Sequence, residues 1–366
     1  MIETFADRLL AWYDRHAREL PWRVGPKNKQ SGTIPDPYHV WLSEIMLQQT
    51  TVATVKPYFI KFLKRWPTVD ALAAADIDAV MSEWAGLGYY SRARNLHAAA
   101  QQVQSEHAGS FPKTESQLKS LKGVGDYTAA AIASIAFDQR AVVVDGNVDR
   151  VIVRHENIRD PIVDVKPEIR AHADRRTPDL RPGDYAQAMM DLGATVCTPT
   201  APQCLLCPVR EDCQGHRAGD ATALPIKKPK PPKPVRRGAI KVVVSDDGHV
   251  LVQTNPASGL LGGMTVFPHS PWVDVPAAAG NAKANFVDWH MFASQHRIDG
   301  APEGGVEVGL VRHTFTHFHL VLQVLRLDVS TSDFRSNRSR WHAIDDLDAL
   351  ALPTLMHKVW RLAMPA

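Results

Sequence analysis

The segment LKSLKGVGDYTAAAIAS, residues 118–134, places a Gly123-Val124-Gly125 turn between two runs with helical spacing. The two glycines permit close backbone approach to another group, and the second run begins with free amides at the positive end of its helix. The segment therefore predicts a helix-hairpin-helix whose Gly123 and Gly125 amides bind an anion such as a phosphate. Such a turn alone is weak support for phosphate binding, so its companions in the sequence must decide.

The chain divides by pattern into two domains and a linker. Apolar residues recur every three or four positions over residues 1–217, which predicts an all-α domain. Residues 218–237 include KKPKPPKPVRR, whose prolines and unpaired basic residues predict an extended linker, either a plain spacer or one that also contacts phosphates. Over residues 238–366 the spacing shortens, as in AIKVVVS and HLVLQVLRLDV, which predicts an α+β domain.

The bulk composition fits a folded protein with more than one core, since 45% of the 366 residues are hydrophobic and 22% are charged. The net charge is only +3, so total charge does not demand a polyanionic partner. The N-terminal stretch MIETFADRLLAWYDRHAREL has the pattern of an amphipathic helix, and no apolar run approaches the roughly 18 residues of a membrane span. We expect a cytoplasmic bacterial protein without a membrane partner.

The cysteines form one cluster, C-x6-C-x2-C-x5-C, made of Cys197, Cys204, Cys207 and Cys213. Disulfides in a secreted protein would usually be spread over the fold, so this clustering favours a metal site. Four thiolates in one compact loop suit a tetrahedral zinc ion or a [4Fe-4S] cluster, and the spacing leaves both open.

Two acidic residues are candidates for chemistry. Glu44 lies in the apolar segment VWLSEIMLQQT, where burial would raise its pKa and make it a general acid; the alternative is an exposed glutamate on an amphipathic helix. Asp145 follows the apolar run AVVV, which would hold its carboxylate at low dielectric. Asp145 could equally cap the helix that begins near Asn147, and the two roles are compatible.

Five stretches together resemble the MutY family of adenine DNA glycosylases in the helix-hairpin-helix, endonuclease III superfamily. They are VWLSEIMLQQT, GLGYYSRARNL, LKGVGDYTAAAIAS, VDGNVDRV and the cysteine spacing. The resemblance covers nearly the whole chain and implies a multidomain fold: an all-α glycosylase domain with a four-cysteine [4Fe-4S] loop at 197–213, then a Nudix-like α+β domain.

The resemblance also implies roles for the catalytic residues. Glu44 would protonate the departing adenine, and Asp145 would stabilise or transiently bond to the cationic sugar, with Tyr127 and Asn147 assisting Asp145. This division matches the two-carboxylate logic of glycoside hydrolysis. Tyr127 occupies the position where bifunctional relatives have a Schiff-base lysine, and a phenol cannot form an imine. We therefore expect a monofunctional glycosylase.

The same resemblance assigns the contacts with DNA. The adenine pocket would be lined by Arg18, Leu20, Trp22, Arg23 and Gln187. The wedge that braces the duplex when the base leaves it would be formed by Gln48, Gln49 and Tyr89. The loop TPTAPQ between Cys197 and Cys204 has no basic residue, so phosphate contacts would depend on Arg92, Arg94, the hairpin amides and the linker.

In the second domain, LLGGMTVFPHSPW resembles a Nudix-type fold. The sequence after Pro268 lacks the glutamate-rich REUxEE helix that binds divalent metal in Nudix hydrolases, so we expect binding without hydrolysis. Phe315, Thr316 and His317 match the Phe-Ser-His loop that the family uses to recognise 8-oxoguanine, with threonine in place of serine. The added methyl group restricts the side-chain rotamers.

The sequence thus predicts a monomeric base-excision-repair hydrolase that releases adenine paired with 8-oxoguanine or guanine in double-stranded DNA. One alternative is an endonuclease III-like glycosylase and lyase for oxidised pyrimidines, which Tyr127 and the second domain disfavour. A noncatalytic DNA-damage binder with a zinc module is the other, and the pair Glu44 and Asp145 argues against it.

Overall fold

The computed structural model describes residues 3–229, 231–256, 259–275, 298–330, 334–350 and 352–364. Two compact units make up the chain. The first comprises Met1–Ile77 and Arg92–Pro229, and the second comprises Asp78–Ser91 and Lys230–Ala366. Among the described residues, no helix is both long and apolar enough to cross a membrane.

Helices dominate the chain up to residue 223, as the spacing of apolar residues predicts. In chain order the α-helices are α1 Phe5–His16, α2 Pro26–Gln30, α3 Pro37–Leu47, α4 Val52–Arg65, α5 Val69–Ala73, α6 Ile77–Glu83, α7 Ser91–His107, α8 Glu115–Leu118, α9 Asp126–Phe137, α10 Gly146–Glu156, α11 Lys166–Arg176, α12 Pro182–Asp191 and α13 Gln214–Arg217. Shorter elements are a π-helical turn at Leu192–Val196 and 3-10 turns at Cys204–Leu206 and Ala221–Ala223.

Helices α3 and α9 form the centre of the first unit. Every residue from 40 to 46 on α3 and from 128 to 136 on α9 is buried. The small side chains of α9, five of them alanines, allow other helices to pack closely around it. Glu44 lies within the buried part of α3, and Tyr127 stands at the start of α9, directly before its buried part.

Local sequence sets the helix starts on which the site depends. The Asp36 side chain accepts a hydrogen bond from the Tyr38 amide and caps α3, with Pro37 in the first turn. Helix α9 begins after Gly125, which provides no side-chain cap, so its first amides stay available to another acceptor. Gly123 has φ 75°, the left-handed region that favours glycine.

The described residues of the second unit form a mixed seven-stranded sheet. Its strands are β1 Val235–Ser245, β2 His249–Thr254, β3 Thr265–Val266, β4 Val273–Asp274, β5 Val306–Thr314, β6 His319–Val329 and β7 Ser339–Ala343. The order is β3-β2-β1-β6-β5, with β4 paired to β1 and β7 paired to β2. Strands β1 and β6 run parallel over eleven residue pairs from Val235 and His319 to Ser245 and Val329.

One face of this sheet carries the main apolar core of the second unit. Alternate residues of β1 and β6, among them Ile240, Val242, Leu322 and Val324, pack with the last helix, α14 Thr354–Ala363. This confirms the α+β class and the helix predicted near the end of the chain. Strand β1 begins at Val235, inside the predicted linker, because Arg236 and Arg237 pair with β4.

Candidate active site

A cavity of about 640 Å³ opens in the first unit, and it collects most of the residues predicted to act on the substrate. Its walls come from the loop before α2, from α3 and the turn after it, and from α9, α10 and α12. The predicted residues that line it are Arg18, Leu20, Trp22, Arg23, Glu44, Gln48, Gln49, Tyr127, Asp145, Asn147 and Gln187.

Glu44 is held in the interior of the cavity wall, with only 6% of its surface exposed. Burial is the main cause that raises its pKa from an ordinary value near 4.5 to about 7. The hydrogen bond from Tyr127 and the charge of Arg23 lower this pKa, whereas the negative charge of Asp145 raises it. Glu44 is therefore not an exposed helix residue, and its carboxyl group can carry a proton near neutral pH.

Asp145 caps helix α10, as one of its two predicted roles requires. Its Oδ1 accepts hydrogen bonds from the amides of Asn147 at 2.9 Å and Val148 at 2.7 Å. Its Oδ2 accepts a third from the Asn147 side-chain amide at 2.8 Å. Three donors and the positive end of a helix stabilise the carboxylate anion at the edge of the cavity.

Tyr127 contacts Glu44 and not Asp145 in this structure. Its hydroxyl donates to Glu44 Oε2 at 2.8 Å and lies 3.5 Å from the sulfur of Met190. Burial, with the nearby charges of Glu44 and Asp145, raises the pKa of Tyr127 well above its usual range, so the phenol keeps its proton. Asn147, the other residue predicted to assist Asp145, does donate a hydrogen bond to it.

Asp191, an acidic residue that the sequence alone did not single out, binds two of the predicted adenine-pocket residues. Asp191 is fully buried at the end of α12 and accepts hydrogen bonds from Arg18 Nε at 2.6 Å and Arg23 Nη1 at 2.7 Å. It follows Gln187 by four residues in the motif YAQAMMDLGA, which puts both on one helix face. That spacing was the signal available in the sequence.

A second unpredicted residue, Arg150, connects the site to the cysteine loop. Its Nη2 donates to Asn147 Oδ1 at 2.9 Å and to the Gly193 carbonyl at 2.6 Å. Its Nε donates to the Cys197 carbonyl at 2.7 Å. One guanidinium thus ties the residue that holds Asp145 to the first of the four cysteines.

Two of the three predicted wedge residues have an unusual backbone. Gln49 has φ 58° and Tyr89 has φ 48°, a region that few residues other than glycine adopt. Gln49 is exposed at the mouth of the cavity, and Gln48 donates to Thr128 Oγ1 at 3.3 Å. Tyr89 belongs to the second unit, where it is 45% exposed.

The start of α9 is open beside Gly125, where the sequence predicts an anion site. A Cβ on Gly123 would lie 2.8 Å from Asn95 Cβ, whereas a Cβ on Gly125 would meet nothing within 4 Å. The space above the first amides of α9 is therefore open. Arg92 does not fit the predicted phosphate contact, because it is buried and donates to the carbonyls of Ile45 and Met46 at the end of α3.

The four cysteines are all half-buried and unpaired by disulfides. They line one cavity together with Arg154, Arg210, His216 and apolar residues, and Arg154 Nη1 donates to Cys197 Sγ at 3.3 Å. In the described parts of the chain, no group of three or more His, Cys, Asp or Glu side chains has the spacing to hold a single metal ion.

The Phe315-Thr316-His317 loop joins β5 to β6. Thr316 and His317 are exposed, while Phe315 packs against Phe318 and Trp272 with ring centroids 4.9 and 5.8 Å apart. Within the second unit, the hydroxyl groups of Thr316 and Tyr89 are hydrogen-bonded at 2.8 Å. The segment after Pro268 in which a Nudix metal-binding helix would fall includes residues 276–297, which lie outside the described residues.

Comparison with known proteins fits this arrangement. Residues 42–177 match the model of the HhH-GPD superfamily of base excision DNA repair proteins, and residues 239–362 match the NUDIX domain. The adenine DNA glycosylase of Rattus norvegicus is 36% identical over 410 aligned residues, which cover 99% of this chain and 78% of that protein. The chain belongs to the adenine DNA glycosylase family.

Two further comparisons concern a second adenine DNA glycosylase and a solved structure. The adenine DNA glycosylase of Homo sapiens is 34% identical, covering 99% of this chain and 74% of that protein. A solved structure of a thermostable thymine-DNA glycosylase is 27% identical with a TM-score of 0.51, and covers 58% of this chain and 95% of that one. Family membership confirms the predicted class, a base-excision-repair DNA glycosylase with a Nudix-like second domain.

Proposed function

We propose that the protein is a monofunctional glycosylase that hydrolyses the N-glycosidic bond of adenine paired with 8-oxoguanine or guanine in double-stranded DNA. The observation that carries the proposal is the pair of carboxyl groups in one cavity. Glu44 is buried with a pKa of about 7, and the Asp145 carboxyl group is fixed at the cavity edge by three hydrogen bonds. Neither a glycosylase and lyase for oxidised pyrimidines nor a noncatalytic DNA-damage binder accounts for this pair in combination with Tyr127.

Glu44 acts as the general acid in the proposed reaction. Adenine is a poor leaving group as an anion, so a proton must reach a ring nitrogen as the bond to the sugar breaks. At pH 7 about half of the Glu44 carboxyl groups carry that proton, given a pKa of about 7. The cavity of about 640 Å³ accommodates a base turned out of the duplex. Trp22 and Leu20 provide an apolar wall against which the base stacks, and the Gln187 side-chain amide offers hydrogen bonds to its edge.

Asp145 stabilises the cationic sugar that remains when adenine leaves. The sugar carbon bears an oxocarbenium charge, and a carboxylate nearby lowers the energy of that state or forms a transient bond to it. Water then adds to the sugar carbon, displacing Asp145 where that bond has formed, and leaves an abasic site. The proton that the water loses replaces the one that Glu44 gave to adenine. The Asn147 side chain and the α10 amides fix the carboxylate in place, so little reorganisation is needed during the reaction.

Tyr127 is the residue that argues against lyase activity. An amine on this helix could attack the sugar and form an imine that leads to strand cleavage, whereas the protonated phenol of Tyr127 cannot. This separates the proposal from an endonuclease III-like glycosylase and lyase.

We propose that Cys197, Cys204, Cys207 and Cys213 hold a [4Fe-4S] cluster. The four cysteines are free of disulfides and line one cavity, so their thiolates offer the soft sulfur ligands that either a zinc ion or an iron-sulfur cluster takes. The resemblance to the MutY family favours the [4Fe-4S] cluster over zinc. When bound, the cluster would cross-link the loop, and it would also supply positive charge that favours the thiolate forms.

Recognition of 8-oxoguanine is proposed for the loop with Phe315, Thr316 and His317. Its two exposed polar side chains can reach a base edge, and the packed Phe315 anchors the loop to the sheet.

The enzyme would act in the cytoplasm on chromosomal DNA, and we propose that it acts as a monomer.

The test is adenine release from synthetic duplexes with adenine opposite 8-oxoguanine, guanine or thymine. Each reaction is split, and one half is treated with alkali to cut abasic sites. We expect product from the first two duplexes only after alkali, and none with the Asp145→Asn variant. Strand cleavage without alkali, trapped by borohydride, would contradict the monofunctional assignment, and absence of adenine release would contradict the function itself.

A further inference from the structure

Asp191 is the most completely buried acidic group near the candidate active site. Its side chain has 0% exposure, and three donors surround it. Arg18 gives it both the backbone amide at 3.0 Å and the Nε at 2.6 Å, and Arg23 gives it Nη1 at 2.7 Å. A buried carboxylate with three charge-assisted or amide bonds is strongly held in one orientation.

The two arginines that Asp191 holds are both part of the cavity wall. The Arg23 side chain is 5% exposed, and its guanidinium lies 6.0 Å from the centre of the Tyr13 ring. Arg18 is more open, with 28% of its side chain exposed. Asp191 itself lies behind them and does not line the cavity, so any effect it has on the substrate must pass through these arginines.

The groups that face Glu44 carry opposing influences. From α9 comes the Tyr127 hydroxyl, from the start of α10 the Asp145 carboxylate, and from the loop before α2 the Arg23 guanidinium. A cation beside a general acid favours loss of its proton. An uncompensated Arg23 would therefore work against the role of Glu44.

We propose that Asp191 is a positioning residue for the glycosylase reaction, because its carboxylate fixes Arg18 and Arg23 in the wall and offsets the charge of Arg23 beside Glu44. This inference rests on the proposed function. Asp191, at the end of α12, would help to keep Glu44 protonated without touching the substrate.

The pH profile of single-turnover adenine release tests this role. The rate should fall as pH rises through the pKa of Glu44, since the acid must be protonated. Asp191→Asn keeps the shape but leaves two cations without their anion, so the midpoint of that fall should move to lower pH by about one unit. Arg23→Gln should move the midpoint to higher pH, and the double variant should lie between the two single variants.

Asp184→Asn is the matched control. Asp184 is also buried on α12 and pairs with Lys29 and Arg181, each at 2.9 Å, but it does not line the cavity. We expect this variant to lose stability with the midpoint unmoved. A rate in Asp191→Asn that falls by one factor at every pH, with the wild-type midpoint, would overturn the inference and leave a purely structural role.

Folding of each variant is checked by circular dichroism and thermal melting. If Asp191→Asn does not fold, Arg23→Gln decides, and a midpoint equal to that of the wild type would refute the proposed charge balance. Wild-type protein that releases no adenine would reject the proposed function together with this inference. Activity with unmoved midpoints would reject only the role of Asp191.

Discussion

The Tyr127 hydroxyl donates a hydrogen bond to Glu44 Oε2 over 2.8 Å and thereby joins the two central helices of the first unit, α9 and α3. The bond favours the ionised form of Glu44 and opposes the effect of burial on its pKa. Tyr127 therefore influences the protonation of Glu44, the proposed general acid, and the family resemblance implies that it stands where bifunctional relatives have a lyase amine.

Removing that hydroxyl should extend activity to higher pH. In Tyr127→Phe the carboxylate form of Glu44 loses its donor, so its pKa rises and the alkaline midpoint of the single-turnover rate should increase by about one unit. The control is Tyr185→Phe, a buried tyrosine on α12 outside the cavity, which should leave the midpoint unchanged. A lower midpoint in Tyr127→Phe would show that the bond stabilises the protonated acid instead.

Glu44→Gln should abolish adenine release and yet stabilise the protein at alkaline pH. The folded-state pKa of Glu44 is about 7, above the ordinary value of 4.5, so the folded state keeps a proton that the unfolded chain loses. Wild-type stability therefore decreases as pH rises from about 4.5 to about 7, because ionisation must then occur in the buried site. Glutamine does not ionise and avoids this loss.

Thermal melting at pH 5 and pH 8 checks this prediction. The variant should melt at a higher temperature than wild type at pH 8, and the difference should shrink at pH 5. Glu106→Gln, which changes an exposed glutamate on α7, should show no such pH dependence. Equal melting differences at both pH values would mean that Glu44 does not titrate in this range.

The burial that gives Glu44 this property could be predicted only in part. The segment VWLSEIMLQQT is apolar on several sides, but its pattern equally allows an exposed glutamate on an amphipathic helix. The choice depends on α9 packing against α3, a long-range contact that periodicity does not encode. The helical first domain, the strands β1, β2, β5 and β6, and the cap at Asp145 were all accessible from local spacing and capping chemistry.

Arg150→Gln should reduce both stability and catalysis. Arg150 links Asn147 to the carbonyls of Gly193 and Cys197 through bonds of 2.6 to 2.9 Å. Loss of these charge-assisted bonds should lower the free energy of unfolding by about 2 kcal/mol. The rate of adenine release should fall further than stability explains, because the Asn147 side chain that holds Asp145 is released.

Arg15→Gln serves as the control for Arg150, since Arg15 is exposed and bonds only to a carbonyl of its own helix. Urea unfolding gives the stability, and single-turnover kinetics at saturating enzyme gives the rate. If Arg150→Gln released adenine at the wild-type rate under conditions in which the variant is folded, Arg150 would not connect the cysteine loop to catalysis.

Two glycines of the hairpin should respond differently to alanine. Gly123→Ala places a Cβ at 2.8 Å from Asn95 in a backbone with φ 75°, so it should destabilise the fold by at least about 1 kcal/mol. Gly125→Ala meets nothing within 4 Å, so stability should be kept while the added methyl group obstructs the space where a phosphate would lie.

Affinity for a duplex at several salt concentrations distinguishes the two effects. Gly125→Ala should bind DNA more weakly and show a smaller dependence of affinity on salt, because one phosphate contact is lost. Unchanged affinity and salt dependence would exclude the hairpin amides as a phosphate site. The buried Arg92 cannot substitute for them, since its guanidinium is bonded to the end of α3.

Other features could not have been predicted because they depend on tertiary partners. The four-residue spacing from Gln187 to Asp191 predicts that both lie on one face of a helix. It does not predict that Arg18 and Arg23 bind Asp191 on that face. Arg92 belongs to a basic cluster in sequence and nevertheless points inward. Strands β3 and β4 are two residues long, too short for alternation to be detected, and they form only because longer strands provide their hydrogen bonds.

Thr316 should influence the choice between 8-oxoguanine and guanine through its hydroxyl. The hydroxyl is exposed at the tip of its loop and is hydrogen-bonded to Tyr89 at 2.8 Å within the second unit. Thr316→Val keeps the shape but removes this bond, and the preference for adenine opposite 8-oxoguanine should fall about fivefold, as expected for one neutral hydrogen bond. Thr316→Ser keeps the hydroxyl and should retain the preference.

The ratio of dissociation constants for the two duplexes, measured with an inactive Asp145→Asn background, isolates recognition from chemistry. If valine and threonine gave the same ratio, recognition would have to reside in His317 or in the aromatic residues beneath the loop.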